Sequence, residues 1–423
     1  MLEPYFLREH PEEAETRLAK RGIDAKALVG RALALDGGRR ALQSGLDDRL
    51  AELNGLSRTV GELMKAGKKD EAEQAKARTG ELKNTIQGLK EGMDAAERAL
   101  HEHLLTIPNA PHAKVPAGRT PEDNVVVAQE GAIPALPDGA VPHWELGERY
   151  GILRMDLGVK LSGAGFPVYS GQGAKLQRAL IAFFLDRAIA AGYREVMPPL
   201  LVNEASAFGT GQLPDKEGQM YHVAGDGLYL VPTAEVPLTN LYRDEILAAD
   251  ELPVKLVGHT PCFRREAGSY GKDVRGLNRV HQFDKVEIVR IERPENGQAA
   301  LEEMTGHVKE LLRALELPFR QLLLCGGDMG FASAMTYDLE VWAAAQKRWL
   351  EVSSISTFET FQSNRLKLRY RGEDRKPRLA HTLNGSALAL ARIVAALLEN
   401  NQTPEGVRIP AALQPYTGFA MIA

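Results

Sequence analysis

Two stretches of this 423-residue chain carry the residue types from which a site for a charged substrate could be made. The first is Pro261-Cys262-Phe263-Arg264-Arg265-Glu266. The second, after a polar loop, is Arg279-Val280-His281-Gln282-Phe283-Asp284-Lys285-Val286-Glu287. Read as the strands of a hairpin, residues two apart share a face, so Arg264 sides with Glu266, and Phe283 with Lys285 and Glu287. A guanidinium for phosphate, a ring for a base and a carboxylate for an ammonium would suit a nucleotide and a zwitterion. The same pattern also describes an exposed sheet face laced with salt bridges.

Three further groups carry chemistry. In Val231-Pro232-Thr233-Ala234-Glu235, Thr233 and Glu235 share a side if the backbone is extended, while Thr and Glu also favour a helix start. In Leu350-Glu351-Val352-Ser353-Ser354 a carboxylate and hydroxyls could hold Mg²⁺, a hard cation that takes oxygen ligands. Glu351 and Ser354 are three apart, the wrong parity for one strand face, so joint binding requires a bulge or a strand end. An ordinary strand terminus is the plain alternative. In Asn384-Gly385-Ser386-Ala387-Leu388-Ala389-Leu390-Ala391-Arg392, Arg392 is a lone cation among apolar residues. A buried arginine is costly without an anion, so it needs either an internal carboxylate or a polyphosphate.

The elements that must position these groups are legible in outline. A helix from Ala174 to about Ala191 has apolar residues at helical spacing and leads through Gly192-Tyr193 into the strand-like 195–202 with Pro198-Pro199. An apolar helix is expected from about Ser386 to Leu398. Upstream, Leu42, Leu46, Leu53, Leu56, Val60 and Leu63 follow a four-three alternation with one missing member at Arg49, the heptad seam of about 3.5 residues per turn. After the turn-like 66–70, the alternation resumes at Ala72, Ala75, Thr79, Leu82, Ile86, Leu89, Met93, Ala96 and Leu100. An antiparallel coiled-coil arm over about 36–104 is expected, with a globular helix pair as the alternative. Gly45, Gly55, Gly61, Gly80, Gly88 and Gly92 each weaken a helix by roughly 0.5–1 kcal/mol relative to alanine, which predicts a mobile arm. The Pro- and Gly-rich 109–142 reads as a linker between residues 1–108 and a globular domain, 143–423.

Composition excludes more than it selects. With 44% hydrophobic and 26% charged residues, neither disorder nor a membrane protein is indicated. No apolar run approaches the roughly 20 residues of a spanning helix, and the first residues lack a signal-peptide pattern, which reads as cytoplasmic. Cys262 and Cys325 are too few for a thiolate zinc cage, though they could form one bridge. A net charge of -4 argues only weakly against nucleic acid, because phosphate contacts need a local basic face rather than a basic total.

Taken together and in order, these stretches resemble the class II aminoacyl-tRNA synthetases, and within them the seryl family. The 194–202 region is similar to motif 1, Phe263–Glu266 with Arg279–Glu287 to motif 2, and Gly385–Arg392 to motif 3. Thr233-Ala234-Glu235, Arg275-Gly276-Leu277, Tyr337-Asp338-Leu339-Glu340-Val341-Trp342 and the arm point to the seryl branch. The resemblance implies an α+β fold, with the arm followed by a catalytic domain whose central antiparallel sheet is flanked by helices. It implies ATP-dependent activation of L-serine to seryl-adenylate, then transfer to tRNA(Ser), extending to tRNA(Sec).

Carried over by position, the resemblance implies that Arg264 holds the α-phosphate, Glu266 reads the adenine amino group, Phe283 stacks on the base and Arg392 grips the γ-phosphate. Arg265, Val352 and Ser353 belong to the same ATP-contacting runs. Glu351 and Ser354 would ligate Mg²⁺. Thr233, Ala234, Glu235, Arg264, Glu287 and Ser386 would line the serine site, and Arg275 and Arg279 would meet the tRNA acceptor end. Motif 1 implies a homodimer. The chain departs from the usual pattern at Gly165, at Met335 and in Ile355-Ser356-Thr357-Phe358-Glu359. An amino acid:carrier-protein ligase shares the core chemistry but lacks the arm and uses cysteine-bound zinc. A non-catalytic RNA-binding paralogue should have lost some of Arg264, Glu266, Glu287, Glu351 or Arg392.

Overall fold

The heptad seam forms a pair of helices. In the computed structural model, which describes residues 1–215, 218–266 and 275–423, helix α1 spans Ala25–Lys65 and helix α2 spans Lys69–Leu104. Asp24 starts α1, its side chain accepting the Ala27 N–H at 3.0 Å and satisfying one of the donors a helix start leaves open. Gly67 turns the chain between the helices at φ +74°, where a side chain would be strained. In the seam Leu46, Leu82 and Ile86 are buried, with Leu50, Leu53 and Leu89 packed against them. Leu50 thus fills the gap expected at Arg49, and the alternation runs 46–50–53. Arg49 turns outward to Glu52 at 2.6 Å.

The chain divides into two compact units, Met1–Ala19 with Ile23–Pro108, and Lys20–Gly22 with Asn109–Ala423. Besides the long hairpin, the first holds two short helices, Pro4–Glu9 and Pro11–Ala19. In it Asp36 is buried and held by Arg8 at 3.1 Å and Arg39 at 3.0 Å.

The second unit is built on an eight-stranded sheet. Its strands are β1 (Val125–Glu130), β2 (Arg194–Glu195), β3 (Val254–Phe263), β4 (Gln282–Glu292), β5 (Phe319–Leu323), β6 (Met335–Ala343), β7 (Arg348–Glu359) and β8 (His381–Ala389). They lie in the order β1-β5-β6-β7-β8-β4-β3-β2. All pairings are antiparallel except β2 with β3 at one edge. The other edge strand, β1, falls inside the stretch expected as a linker. Its Val125-Val126-Val127 run favours extended backbone, and the surrounding Pro and Gly masked that signal.

Helices α3 (His143–Arg149), α4 (Gly171–Ala190), α6 (Gly297–Ala314) and α7 (Leu390–Asn400) belong to this unit, with α5 (Glu235–Asn240) between α4 and α6 in the chain. Leu180 and Phe184 of α4, Leu301 and Val308 of α6 and Ile393 of α7 share one core with Ile288, Leu339, Ile355 and Leu383 of the sheet. α7 is buried almost all round, as its composition implies. It begins four residues later than expected. Ser386–Ala389 stay in β8, where Ser386 pairs with Glu287 and Ala389 with Lys285; pairing the buried backbone outweighs the helix preference of Ala and Leu.

Among the described residues, no helix is long and apolar enough to cross a membrane. Cys262 and Cys325 are both free and buried, so the single bridge left open by the sequence is not formed.

Candidate active site

Strand parity assembles the first part of the site. On β4, Phe283, Lys285 and Glu287 alternate onto one face as expected, opposite Cys262, Thr260 and Gly258 of β3. Ser386 of β8 lies across from Glu287. Lys285 and Glu287 are both buried, with Nζ and Oε2 2.6 Å apart, and the Ser386 hydroxyl donates to the same Oε2 at 3.4 Å.

Glu235 closes this end. Of the two readings of its triplet, the helix start is the one formed: Ala234 is already helical at φ -66° and ψ -16°, Glu235 is the first residue of α5, and its N–H donates to Thr233 Oγ1 at 3.2 Å. Its buried carboxylate accepts from Gln362 Nε2 at 2.7 Å, and Gln362 is itself held by the Thr382 hydroxyl at 2.7 Å. Burial pushes the Glu235 carboxyl up to about 7; the charge of Glu287 adds to the rise, and the Gln362 hydrogen bond with the charges of Lys285 and Arg264 opposes it. Ala234 has no exposed side chain and packs with Leu238, Leu256 and Val289, so only its backbone is offered to a ligand.

Arg264 stands just beyond the end of β3. Its guanidinium lies over the Phe283 ring at 5.3 Å, and Nε donates to Pro232 O at 3.4 Å. Here strand parity fails: β3 stops at Phe263, and Glu266 takes a left-handed φ of +48°. The backbone N–H groups of Arg264 and Arg265 go instead to His281 O and Gln219 O, both at 2.9 Å, which ends the alternation. The Glu266 carboxylate meets Arg279 Nε at 2.6 Å, and Arg275 lies over the Trp144 ring at 4.7 Å. Residues 267–274 of the expected polar loop lie outside the described residues.

On β7 the required bulge is present. The register with β6 shifts so that Ser354 faces Asp338, Ser353 faces Leu339 and Glu351 faces Glu340, which leaves Val352 without a partner. Because Asp338 and Glu340 share a face of β6, Glu351 and Ser354 are brought to that face together. Val352 turns into the core, and Ser353 donates to Ser386 O at 2.6 Å, a link from the bulge to the pocket of Glu287. Asp338 went unremarked as a site residue in the sequence. Its Oδ1 is buried without a hydrogen-bond partner, and burial, reinforced by Glu351, raises its carboxyl well above the usual range. This oxygen-rich face suits a hard cation.

Arg392 sits in the first turn of α7. Its Nη1 donates to Glu351 O at 2.7 Å, with Glu351 Oε2 at 3.7 Å, and its Nε donates to Asn278 O at 2.9 Å. Glu351 is half exposed, so this ion pair is weak and leaves the guanidinium available to another anion. The structure therefore joins Glu235, Glu287 and Ser386 with Lys285, sets Arg264 on Phe283, and ties Arg392 to the bulge. Lys285 and Gln362, with Asp338, are the additions to the candidate set. The alternation marked Lys285, whereas nothing in the local sequence marks Gln362.

Residues 221–401 match the tRNA synthetase class II core domain (G, H, P, S and T), and residues 1–111 match the Seryl-tRNA synthetase N-terminal domain. A serine–tRNA ligase of Salinibacter ruber is 52% identical over 424 residues, covering 100% of this chain and 99% of the relative. The chain belongs to the seryl-tRNA synthetase family. It carries that family's serine–tRNA ligase activity and class II fold.

The serine–tRNA ligase of Chlorobium luteolum is 46% identical over 428 residues, covering 100% of this chain and 99% of the relative. The seryl-tRNA synthetase of Pyrococcus horikoshii, solved with ATP, superposes with a TM-score of 0.95 at 35% identity, over 100% of this chain and 99% of that one. The cytoplasmic serine–tRNA ligase of Naegleria fowleri, solved with AMP, gives 0.89 at 26% identity, over 100% and 98%. Two of the positions singled out in the sequence as departures have close neighbours. A Cβ on Gly165, at φ +84°, would lie 2.3 Å from His281 Cδ2, so no side chain fits there. Ser356 is tied across the sheet to Thr336 at 2.8 Å.

Proposed function

We propose that the buried end of the site binds L-serine and the arginine-flanked end binds ATP. In this reading Thr233, Ala234, Glu235, Glu287 and Ser386 line the serine pocket beside Arg264. The reading rests on one observation above all: two carboxylates, a lysine and a hydroxyl are buried together next to a guanidinium stacked on a ring. Such an enclosure can neutralise serine's ammonium and hydrogen-bond its hydroxyl. Alanine would be rejected because it leaves those polar groups unpaired.

Arg264 holds the α-phosphate, Arg265 and Glu266 flank the base, with Glu266 reading the adenine amino group, and Phe283 stacks on adenine. Arg392 grips the γ-phosphate, and Val352 and Ser353 supply backbone to the same nucleotide. Glu351 and Ser354 would hold Mg²⁺, whose charge would offset that of the phosphates when bound. Serine's own carboxylate attacks the α-phosphorus and pyrophosphate leaves, so the protein supplies alignment and charge rather than a nucleophile.

The tRNA 3′ hydroxyl then takes the seryl group, with Arg275 and Arg279 near the acceptor end. Residues 1–108 bind tRNA(Ser), and also tRNA(Sec), through the hairpin by shape and backbone contacts. The enzyme is cytoplasmic and a homodimer. Support for the dimer is the exposed apolar run at the β2 edge, where Met197 is 91% and Leu201 42% exposed.

Pyrophosphate exchange with each amino acid tests the reading: serine alone should support it. A variant lacking residues 36–104 should keep exchange and lose tRNA charging. Exchange driven equally by alanine, or lost together with charging, would contradict it.

A further inference from the structure

The descending side of the loop between β3 and β4, Arg275-Gly276-Leu277-Asn278-Arg279, is clamped from outside. His143, at the start of α3, has no exposed surface. Its Nδ1 lies 2.7 Å from Glu399 Oε1 on the last turn of α7, and its Nε2 accepts the Leu277 N–H at 2.8 Å. A nitrogen that accepts is the unprotonated one, so these partners assign the ring proton to Nδ1, where Glu399 receives it.

Glu399 is itself held on every side. Oε1 also accepts the His143 N–H at 3.1 Å and Gln346 Nε2 at 2.8 Å, while Oε2 accepts the Ala345 and Gln346 N–H groups, both at 3.1 Å. Gln346 Oε1 accepts Asn278 Nδ2 at 2.7 Å. The contacts close a ring: Glu399, His143, Leu277, Asn278, Gln346 and back to Glu399. From this ring the Asn278 carbonyl reaches out to Arg392 Nε at 2.9 Å. The fit is tight. A Cβ on Gly276, at φ +64°, would fall 2.3 Å from His143 Nε2.

We infer that His143 is a positioning residue for the activation step: by accepting the Leu277 amide it fixes the turn whose Asn278 carbonyl aims the Arg392 guanidinium. The inference rests on the proposed hold of Arg392 on ATP. A histidine serving only to neutralise or pack against Glu399 would need one ring nitrogen. Here the second nitrogen is spent on the turn, and losing it would strand a buried N–H. The turn would then shift to find another partner, and misplacement of a binding group by about 1 Å can cost up to roughly a hundredfold in rate.

Two conservative variants of the full-length protein separate the roles of the two nitrogens. In His143→Asn the side-chain amide reaches the Nδ1 position only, so Glu399 keeps a partner and Leu277 loses one. In His143→Gln the amide oxygen can reach the Nε2 position and take the Leu277 N–H. The asparagine variant should raise KM for ATP in pyrophosphate exchange about tenfold, with KM for serine changed by less than about twofold. It should also speed amide exchange across 275–280, while the glutamine variant stays within about threefold of the parent on both measures.

Unchanged ATP KM and unchanged amide protection in His143→Asn would overturn the inference. So would equal losses in both variants that track Tm, because a merely structural histidine predicts that pattern. Arg392→Ala measured alongside keeps the two claims apart. If it leaves exchange kinetics intact, the role given to Arg392 falls, while the amide measurement still decides whether His143 holds the turn.

Discussion

Replacing Glu235 with glutamine should stabilise the unliganded protein at neutral pH while impairing serine activation. Burial and the neighbouring Glu287 push the Glu235 carboxyl up to about 7, against 4.5 for a solvated glutamate. Between those values the folded state keeps a proton that the unfolded chain has already released, so stability falls as pH rises through the interval. The penalty is absent below about pH 4.5 and complete somewhat above pH 7. Each pH unit of that gap is worth about 1.4 kcal/mol, so the whole amounts to roughly 3 kcal/mol. Glutamine carries no charge and retains an oxygen for Gln362 Nε2, so it should escape the penalty without losing that hydrogen bond.

Urea unfolding of both proteins at pH 5, 6, 7 and 8 measures this directly. The stability difference between Glu235→Gln and the parent should widen by about 2.5 kcal/mol from pH 5 to pH 8, part of the penalty being present already at pH 5. Parallel curves would refute the buried-carboxylate reasoning. A second readout concerns the ligand. A serine ammonium placed beside Glu235 favours its charged form, so binding near pH 7 should release a proton in the parent and not in the variant. Calorimetry in two buffers of different ionisation enthalpy detects it, and a buffer-independent binding heat in the parent would count against contact between the two groups.

Two other perturbations follow from the packing. Lys285→Met leaves Glu287 buried with only the Ser386 hydroxyl beside it, which should cost about 3–5 kcal/mol in urea unfolding, and adding Glu287→Gln should recover much of the loss. In the hairpin, Gly55, Gly61, Gly80 and Gly88 lie within α1 and α2 with open space around the missing Cβ. Alanine at each should stabilise the helix by about 0.5–1 kcal/mol, seen as slower amide exchange in the arm at unchanged pyrophosphate-exchange rate.

Much of the architecture was legible because it rests on periodicity. The heptad seam marked the helix pair and the turn at 66–70, and alternation marked Phe283, Lys285 and Glu287 as one face. What periodicity could not show was pairing between segments distant in sequence. Strand β1 hid in a Pro- and Gly-rich stretch because its partner, β5, lies almost two hundred residues away. Gln362 was invisible for the same reason: its value lies in joining Thr382 to Glu235 across two other elements. His143 marked only the start of the globular domain until its two nitrogens were seen to have separate partners.

The places where local rules failed are not random. β3 stops before Arg264, Glu266 turns left-handed, β7 bulges at Val352, and β8 gives way to α7 at Ala389, just before Arg392. Each break re-aims a candidate site side chain that a regular strand or helix would have sent elsewhere. Without the bulge, Glu351 and Ser354 would face opposite sides of the sheet. Were Ser386–Ala389 helical, Ser386 would lose its register with Glu287. Regular structure supplies the scaffold at low cost, and irregular backbone brings groups of mismatched parity to one surface. A sequence pattern read under the assumption of regularity therefore misplaces these residues individually.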